Sequence, residues 1–250
     1  MLRPMILVAL LLALTAVDAE EPRSADSTAI NVPQATSSVR IDGLADEAAW
    51  DLAEWHAMDQ IILGETPSAA DFRGRYKLLW NSEGLYLLAD IVDDHLVDAR
   101  PDPLFAYWDD DALEVFLDAD GEAGPHRDDY RAFAYHIALD NQAIDIGPDG
   151  PLALPSHVTA RWQRQTEAPY ALRWEVHLRI ATSNAEGSHV TGFRSLQADE
   201  ELRFMLAYCD ADDASGRQHF VGDIAITPRD GDRNLGYLDS RVFGRIKLIH

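Results

Sequence analysis

Apolar and polar residues alternate along most of this chain. The clearest example is the segment 170–180, YALRWEVHLRI, in which every even position is apolar and four of the five odd positions are charged or His. A period of two is typical of a β-strand that buries one face. Similar patterns occupy the segments 72–80, 85–92, 112–117, 130–139, 158–165, 202–209 and 243–249. These patterns predict a chain built almost entirely of strands.

Turn-forming residues separate the predicted strands. Gly, Pro, Asn and Asp cluster at 101–103, 147–150 and 230–232. One helical turn is expected near residues 45–50, with Asp46 as its cap, and the stretch 182–201 is compatible with a short helix or a long loop. Many short strands with such turns indicate an all-β fold, an antiparallel two-sheet β-sandwich of the immunoglobulin-like or jelly-roll-like kind with one or two short helical turns.

The first residues have a different character. Arg3 precedes an apolar run, Met5 to Val17, and the small residues around Ala19 follow it. The run is too short to span a bilayer comfortably and is typical of a secretory signal peptide. We therefore expect residues 1–19 to be removed by cleavage near Ala19–Glu20 and the protein to be secreted or periplasmic. The polar residues 20–29 are predicted to form a disordered tail, followed by a single domain over 30–250.

Charge and cysteine content limit the possible partners. The net charge is −22, so the chain should repel nucleic acids and anionic membrane surfaces and attract divalent cations. Cys209 is the only cysteine, which excludes an intrachain disulfide. Stability must then come from packing, to which bound cations such as Ca²⁺ can add. We also expect the protein to be a monomer.

The segment 108–118, WDDDALEVFLD, carries the candidate chemistry. Trp108 and a run of acids lead directly into a predicted strand, which places a flat ring and carboxylates at the mouth of a sheet. An indole can cover the C–H face of a sugar, and a carboxylate accepts hydrogen bonds from its hydroxyls. We predict that Trp108, Asp111 and Glu114 bind a saccharide. The other tryptophans in regular patterns are predicted to be core residues: Trp50, Trp80 and Trp174.

Four motifs occur in an order that matches a known family. They are the segments 41–50 (IDGLADEAAW), 78–94 (LLWNSEGLYLLADIVDD), 108–118 and 243–248 (FGRIKL). This set resembles family 9 carbohydrate-binding modules, within the wider DOMON-like group of β-sandwiches, from about residue 30 to the C-terminus. The resemblance implies a non-catalytic domain that binds glycans, often beside xylan- or cellulose-degrading enzymes, and that carries structural calcium.

The resemblance also implies a sugar clamped between two Trp rings. Trp108 matches one ring, and Asp111 and Glu114 match acids close to it. No Trp lies near the C-terminus, where the second ring belongs, and Tyr237 is the nearest substitute, with Phe220 as an alternative. His136 lies in a strand that can supply a polar sugar contact.

A crowd of acids follows the 112–117 strand and suggests a cation site. Ca²⁺ takes six to eight oxygen ligands, which this turn and nearby carbonyls could supply. The predicted ligands are Asp118, Asp120, Asp128 and Asp129. A second acidic cluster spans 210–213.

Three other functional classes are alternatives to saccharide binding. The absent second Trp favours a calcium-stabilised interaction domain with a degenerate sugar site. A DOMON-like haem domain would have to use His136 and Met205. A hydrolase is disfavoured because no Gly-x-Ser-x-Gly, phosphate-binding or His-Glu-x-x-His motif occurs, and zinc is disfavoured because the His residues are scattered along the chain with a single Cys.

Overall fold

The computed structural model describes residues 22–166 and 172–250, so the predicted signal peptide lies outside the described residues. Of the tail for which we predicted disorder, residues 22–29 are described. They differ from that prediction, because the Arg23 guanidinium donates hydrogen bonds to Tyr76 and Asp223 of the folded domain. Within the described residues, no helix is long and apolar enough to cross a membrane.

Strands make up most of the regular structure. Their bounds are β1 (Ile30–Pro33), β2 (His56–Met58), β3 (Gln60–Leu63), β4 (Phe72–Asn81), β5 (Gly84–Asp93), β6 (Ala112–Asp118), β7 (Ala132–Ala138), β8 (Ala143–Gly147), β9 (Gly150–Ala153), β10 (Val158–Arg164), β11 (Leu172–Leu178), β12 (Ile180–Ser183), β13 (Val190–Arg194), β14 (Glu201–Asp210), β15 (His219–Gly222) and β16 (Gly244–Ile249).

The strands form two large sheets. The larger runs in the order β1-β16-β14-β6-β7-β8-β9, and β15 pairs with both β14 and β3 at its margin. The smaller runs β10-β11-β5-β4-β2, and β12 and β13 form a separate hairpin. All pairs are antiparallel except β1 with β16. The predicted antiparallel β-sandwich is confirmed.

The main core lies between the two sheets. Leu113, Val115 and Leu117 of β6 share it with Trp174 and Trp80 of the smaller sheet. The alternate residues of β6 point to the opposite face of the large sheet, as the period of two requires. Trp50, within the first helical turn, is also buried, so the predicted core positions of Trp50, Trp80 and Trp174 are confirmed.

The outer face of the large sheet is only partly covered. Residues 223–243, here called the Tyr237 loop, pack Leu235 and Phe243 against Phe116 and Met205 of the sheet. The loop lies directly on these side chains, since a Cβ atom at Gly236 would come within 2.6 Å of Met205 Cε. Beside it, residues 94–111, here called the Trp108 loop, cover another part of the same face. The functional site lies on this face.

Over residues 22–166 and 172–250, helical structure is limited to 3-10 turns at Ala48–Leu52, Tyr107–Asp109 and Ser240–Val242. The first lies slightly later than the predicted turn. Asp46 does not cap it, because Glu47 is the N-cap residue. The stretch 182–201, for which a helix or loop was expected, contains most of the β12–β13 hairpin.

Candidate functional site

A cavity of about 330 Å³ opens on the outer face of the large sheet. Glu114 of β6 and Ala134 of β7 form its floor, and the small Ala134 side chain leaves depth between the two loops. The complete lining is Tyr107, Trp108, Glu114, Arg127, Ala134, Asp145, Ile146, Arg217, Asn234 and Tyr237. The lining therefore combines aromatic rings, carboxylates, guanidinium groups and one amide.

Trp108 stands at the cavity with 44% of its surface exposed. Ala106 adopts a left-handed backbone conformation (φ 51°) that begins the short turn carrying Tyr107 and Trp108. The two rings meet edge to face at 5.1 Å, and Tyr107 meets the His136 ring in the same manner at 5.1 Å. Trp108 is thus supported from behind and keeps a face available to solvent.

The acids after Trp108 hold this loop in place. Asp110 Oδ2 accepts backbone N–H bonds from Ala99 (3.0 Å) and Arg100 (2.7 Å). Asp111 accepts one from Val97 at Oδ2 (2.6 Å) and another from Ala211 at Oδ1 (2.8 Å). Carboxylates bonded to several backbone N–H groups fix loop geometry. The acidic run therefore positions the indole.

The Tyr237 loop supplies Tyr237 and Asn234 to the cavity. Its backbone is anchored by buried Leu235 and by a 2.9 Å hydrogen bond between His126 Nε2 and the Gly236 carbonyl oxygen. An amide and a phenol at this wall offer both donors and acceptors to a ligand.

The polar groups at the floor have unusual electrostatics. Burial raises the pKa of Glu114 to about 7 and that of Asp145 to about 7. Arg217 donates from Nη1 to Cys209 Sγ at 3.2 Å, and its guanidinium lies 4.3 Å from the centre of the Phe220 ring. Phe220 is itself buried, so it supports Arg217 and does not serve as the second clamp ring.

The structure brings together part of the predicted sugar site. Trp108, Glu114 and Tyr237 all line the cavity. Asp111 and His136 do not: Asp111 is fully buried with its oxygens turned to backbone N–H groups, and His136 lies at 0% exposure behind Tyr107. The structure therefore does not bring Asp111 and His136 to the cavity, where contact with a saccharide was predicted for both.

Other lining residues were missed by sequence reasoning: Tyr107, Arg127, Asp145, Arg217 and Asn234. They come from separate loops and from β8, and each lies in a segment without a distinguishing pattern. Only Tyr107, adjacent to Trp108, had a local signal.

Of the four predicted calcium ligands, Asp118 and Asp120 lie together and line one cavity, whereas Asp128 and Asp129 line another. Asp118 is bonded to the Gly121 N–H and the Ser240 hydroxyl, and Asp129 to the Arg131 guanidinium. Asp120 accepts the Glu122 N–H, and Asp128 is exposed. Among the described residues, no grouping of three or more His, Cys, Asp or Glu side chains includes any of the four. Local pairing engages oxygens of three of these acids, and calcium binding at this turn stays a prediction.

A different acidic cluster fits a hard cation better. Oxygens of Asp93, Asp111 and Asp210 all lie within 4.8 Å of one another, and all three residues are buried. Burial raises the pKa of each carboxyl above its ordinary value. Three carboxylates packed together away from water require protons or a cation to balance their charge. An all-oxygen donor set of this kind suits Ca²⁺.

The haem alternative does not fit the structure. Met205 and His136 lie on the same face of the large sheet, but the Tyr237 loop backbone lies directly on Met205. No gap remains over that sulfur for a planar macrocycle, and His136 is covered by Tyr107. The side chains of Met205 and His136 are thus each covered by neighbouring residues.

Comparison with known proteins agrees with this architecture. The sequence profile described as carbohydrate family 9 binding domain-like matches residues 41–250. No curated protein matches the chain. A family 9 carbohydrate-binding module from Caldicellulosiruptor kristjanssonii, solved in complex with cellotriose, superposes with a TM-score of 0.63 at 18% identity over 89% of this chain and 94% of its own. A structure of a family 9 module from the same organism in complex with glucose gives a TM-score of 0.61 at 19% identity over 87% of this chain and 95% of its own. At these identities the likeness concerns the fold.

Proposed function

Because the chain belongs to the carbohydrate family 9 binding domain-like family, we propose that it is an exported, non-catalytic module that binds a saccharide in the cavity beside Trp108. The observation that carries the proposal is the half-exposed indole at a cavity whose floor holds the Glu114 carboxylate. Export is proposed on the apolar run Met5 to Val17, and the mature protein is expected to begin at Glu20.

Each type of lining group has a role in sugar recognition. The Trp108 ring removes sugar C–H surface from water. Glu114 accepts hydrogen bonds from hydroxyls, while Arg217 and Asn234 donate to hydroxyl or ring oxygens. The Asp145 oxygens already accept the Ala134 and Ile146 N–H groups, so Asp145 shapes this wall of the cavity. Tyr237 replaces the second Trp implied by the family, and it contributes a smaller ring with a hydroxyl.

The size of the cavity favours the end of a chain. A volume of about 330 Å³ is near the lower limit of roughly 300–1,000 Å³ for small-molecule sites. Such a cavity suits one or two sugar rings better than the middle of a polymer. The similar modules hold cellotriose and glucose, and we propose a plant-polysaccharide chain end, of the cellulose or xylan type, as the ligand.

We further propose that Ca²⁺ stabilises the fold at Asp93, Asp111 and Asp210. Asp111 also holds the Trp108 loop through Val97, so the cation would neutralise charge close to the residues that position the indole. This proposal retains calcium as the cofactor and changes its ligands.

Titration of the purified mature protein with glucose, cellotriose and xylo-oligosaccharides, followed by Trp fluorescence and calorimetry, tests the proposed function. We expect Trp108→Ala to weaken binding by about 2 kcal/mol, or roughly 30-fold, from the loss of stacked apolar area. Phe105→Ala is the matched control, because Phe105 is exposed in the same loop but does not line the cavity.

Equal saccharide binding by Trp108→Ala and the unaltered protein would overturn the site. A wild-type protein that responds to no glycan would instead favour the calcium-stabilised interaction domain.

A further inference from the structure

Three side chains that are far apart in the sequence meet beneath the floor of the cavity, and of the three only Glu114 lines the cavity itself. Glu114 of β6 pairs directly with His136 of β7, and Cys209 of β14 lies diagonally across from Glu114 on the other side. All three point to the outer face of the large sheet. A carboxylate oxygen of Glu114, a ring nitrogen of His136 and Cys209 Sγ lie within 4.8 Å of one another.

His136 is the unusual member of this group. Its side chain is completely buried, and neither Nδ1 nor Nε2 makes a well-formed hydrogen bond with the described residues; the Tyr107 backbone is near enough only to oppose in part the lowering of the His136 pKa by burial. A buried imidazole without a well-formed hydrogen bond loses the bonds that water would otherwise provide. The other buried imidazoles of His126 and His157 each have one, to the Gly236 carbonyl and the Tyr135 hydroxyl. The ring nitrogens of His136 therefore remain able to bind a metal ion.

Burial raises the pKa of Cys209 to about 12, and Arg217 is the neighbouring group that favours its thiolate. Arg217 Nη1 donates to Cys209 Sγ at 3.2 Å, and Cys209 Sγ is 3.9 Å from Glu114 Oε2. Burial disfavours charge on either acid alone, whereas a divalent cation together with Arg217 would compensate for both.

We propose that Glu114, His136 and Cys209 form a zinc-binding site beneath the floor of the cavity. Nitrogen, sulfur and carboxylate ligands are the set that Zn²⁺ prefers, and a thiolate distinguishes the site from the all-oxygen cluster at Asp210. Three protein ligands leave a four-coordinate zinc ion one further position for water or a ligand hydroxyl.

Zinc binding releases protons from the protein ligands and changes no oxidation state. Zn²⁺ takes a lone pair from the neutral imidazole of His136 and displaces the thiol proton of Cys209, which passes to solvent. The Glu114 carboxyl gives up its proton in the same way where it carries one. The positive charge of Arg217 remains beside the new thiolate.

The positions of the three residues along the chain explain why no sequence motif indicated this site. The three residues lie 22 and 73 positions apart, far from the spacings of zinc motifs. Only the pairing of β14 with β6 and of β6 with β7 brings them together.

Titration of the metal-free full-length mature protein with Co²⁺, and then displacement by Zn²⁺ against a chromophoric chelator, tests the site. We expect a thiolate-to-cobalt charge-transfer band in the near ultraviolet at one equivalent. Cys209→Ser should abolish the band, and His136→Gln should weaken Zn²⁺ binding by at least about 100-fold. Asp210→Asn is the matched control, because it alters the oxygen cluster and should leave the band intact.

The outcomes separate this site from the proposed function, although Glu114 serves both. Saccharide titrations are run with chelator and with zinc. A folded protein that binds saccharide but shows no thiolate band with Co²⁺ overturns the zinc site alone. A band that persists in a folded Cys209→Ser variant overturns it as well, and loss of saccharide binding with an intact band overturns only the sugar proposal.

Discussion

At the scale of single residues, the acids that follow Trp108 in the sequence have two different roles. Asp110 and Asp111 face backbone N–H groups and fix the loop, whereas Glu114 faces the cavity with its oxygens free of backbone bonds. The difference follows from position: the first two precede β6, where unpaired backbone donors remain, and Glu114 lies inside the ladder, where they are used. Binding capacity therefore belongs to the acid within the strand.

A second buried histidine provides a test of electrostatics away from the cavity. His157 is enclosed by Phe133 and Phe193 and hydrogen-bonded to the Tyr135 hydroxyl at 2.9 Å, and burial, with help from Arg179, lowers its pKa to about 4. The folded state therefore favours the neutral ring. Its contribution is complete above the ordinary pKa of about 6.5 and is lost as the pH falls from there toward 4.

We expect this residue to remove on the order of 1 kcal/mol of stability between pH 7 and pH 5. His157→Gln should lower the melting temperature at pH 7 but should show a flatter decline with acid than the unaltered protein. His250→Gln, at the exposed C-terminus, should keep the original slope. Identical slopes for His157→Gln and the unaltered protein would show that this histidine does not titrate on unfolding.

Residue identity alone predicted only part of the cavity. Trp108 and Glu114 were found because they adjoin a strand with a clear period, and Tyr237 because the family places an aromatic ring near it. Arg217 and Asn234 lie in turns whose course depends on the packing of distant residues such as Phe220 and Leu235. His136 was assigned to the sugar, and its burial behind Tyr107 is a tertiary effect that strand periodicity does not contain.

At the scale of elements, the long strands followed directly from the pattern. The predicted segment 72–80 is observed as Phe72–Asn81, and 202–209 as Glu201–Asp210. Short strands were missed, including β3, β8 and β15, because four or five residues give too few alternations to distinguish a period. The β12–β13 hairpin was missed for the same reason and because Gly and Asn residues interrupt it.

The Tyr237 loop is the element on which the cavity depends most. The loop is closely packed on the sheet, since a Cβ at Gly236 would meet Met205 Cε at 2.6 Å and Phe116 Cε1 at 2.7 Å. We expect Gly236→Ala to lift the loop, to destabilise the fold by about 1–3 kcal/mol and to weaken saccharide binding through displacement of Asn234 and Tyr237. Urea unfolding and glycan titration measure the two effects.

The matched control is Gly124→Ala, because a Cβ at Gly124 would meet nothing within 4 Å. It should change neither quantity by more than a few tenths of a kcal/mol. Unchanged saccharide affinity in a folded Gly236→Ala variant would mean that the loop does not shape the binding cavity.

At the scale of the whole molecule, the net charge of −22 makes cation binding a question of stability. Charges of one sign repel across the folded surface, and the cost is greatest where carboxylates are buried together, as at Asp93, Asp111 and Asp210. In a chain with a single cysteine, no disulfide offsets this cost. The composition predicted that cations matter, but the carboxylates of the proposed calcium site can be recognised only where the fold brings β5, β14 and the residue before β6 together.

We expect Ca²⁺ at about 100 times its Kd to stabilise the protein by about 2.7 kcal/mol and to raise its melting temperature by roughly 5–10 °C relative to chelator. Asp210→Asn should remove most of this increase, and Asp128→Asn, at an exposed acid of the turn first predicted, should retain it. Because burial raises the pKa of the three carboxyls, the cation replaces protons, and the calcium effect should grow from pH 6 to pH 8. In chelator the sign reverses, since raised carboxyl pKa values make the folded state lose stability as the pH rises through that interval. Equal melting temperatures with calcium and with chelator at pH 8 would show that the cluster holds its charge without a cation.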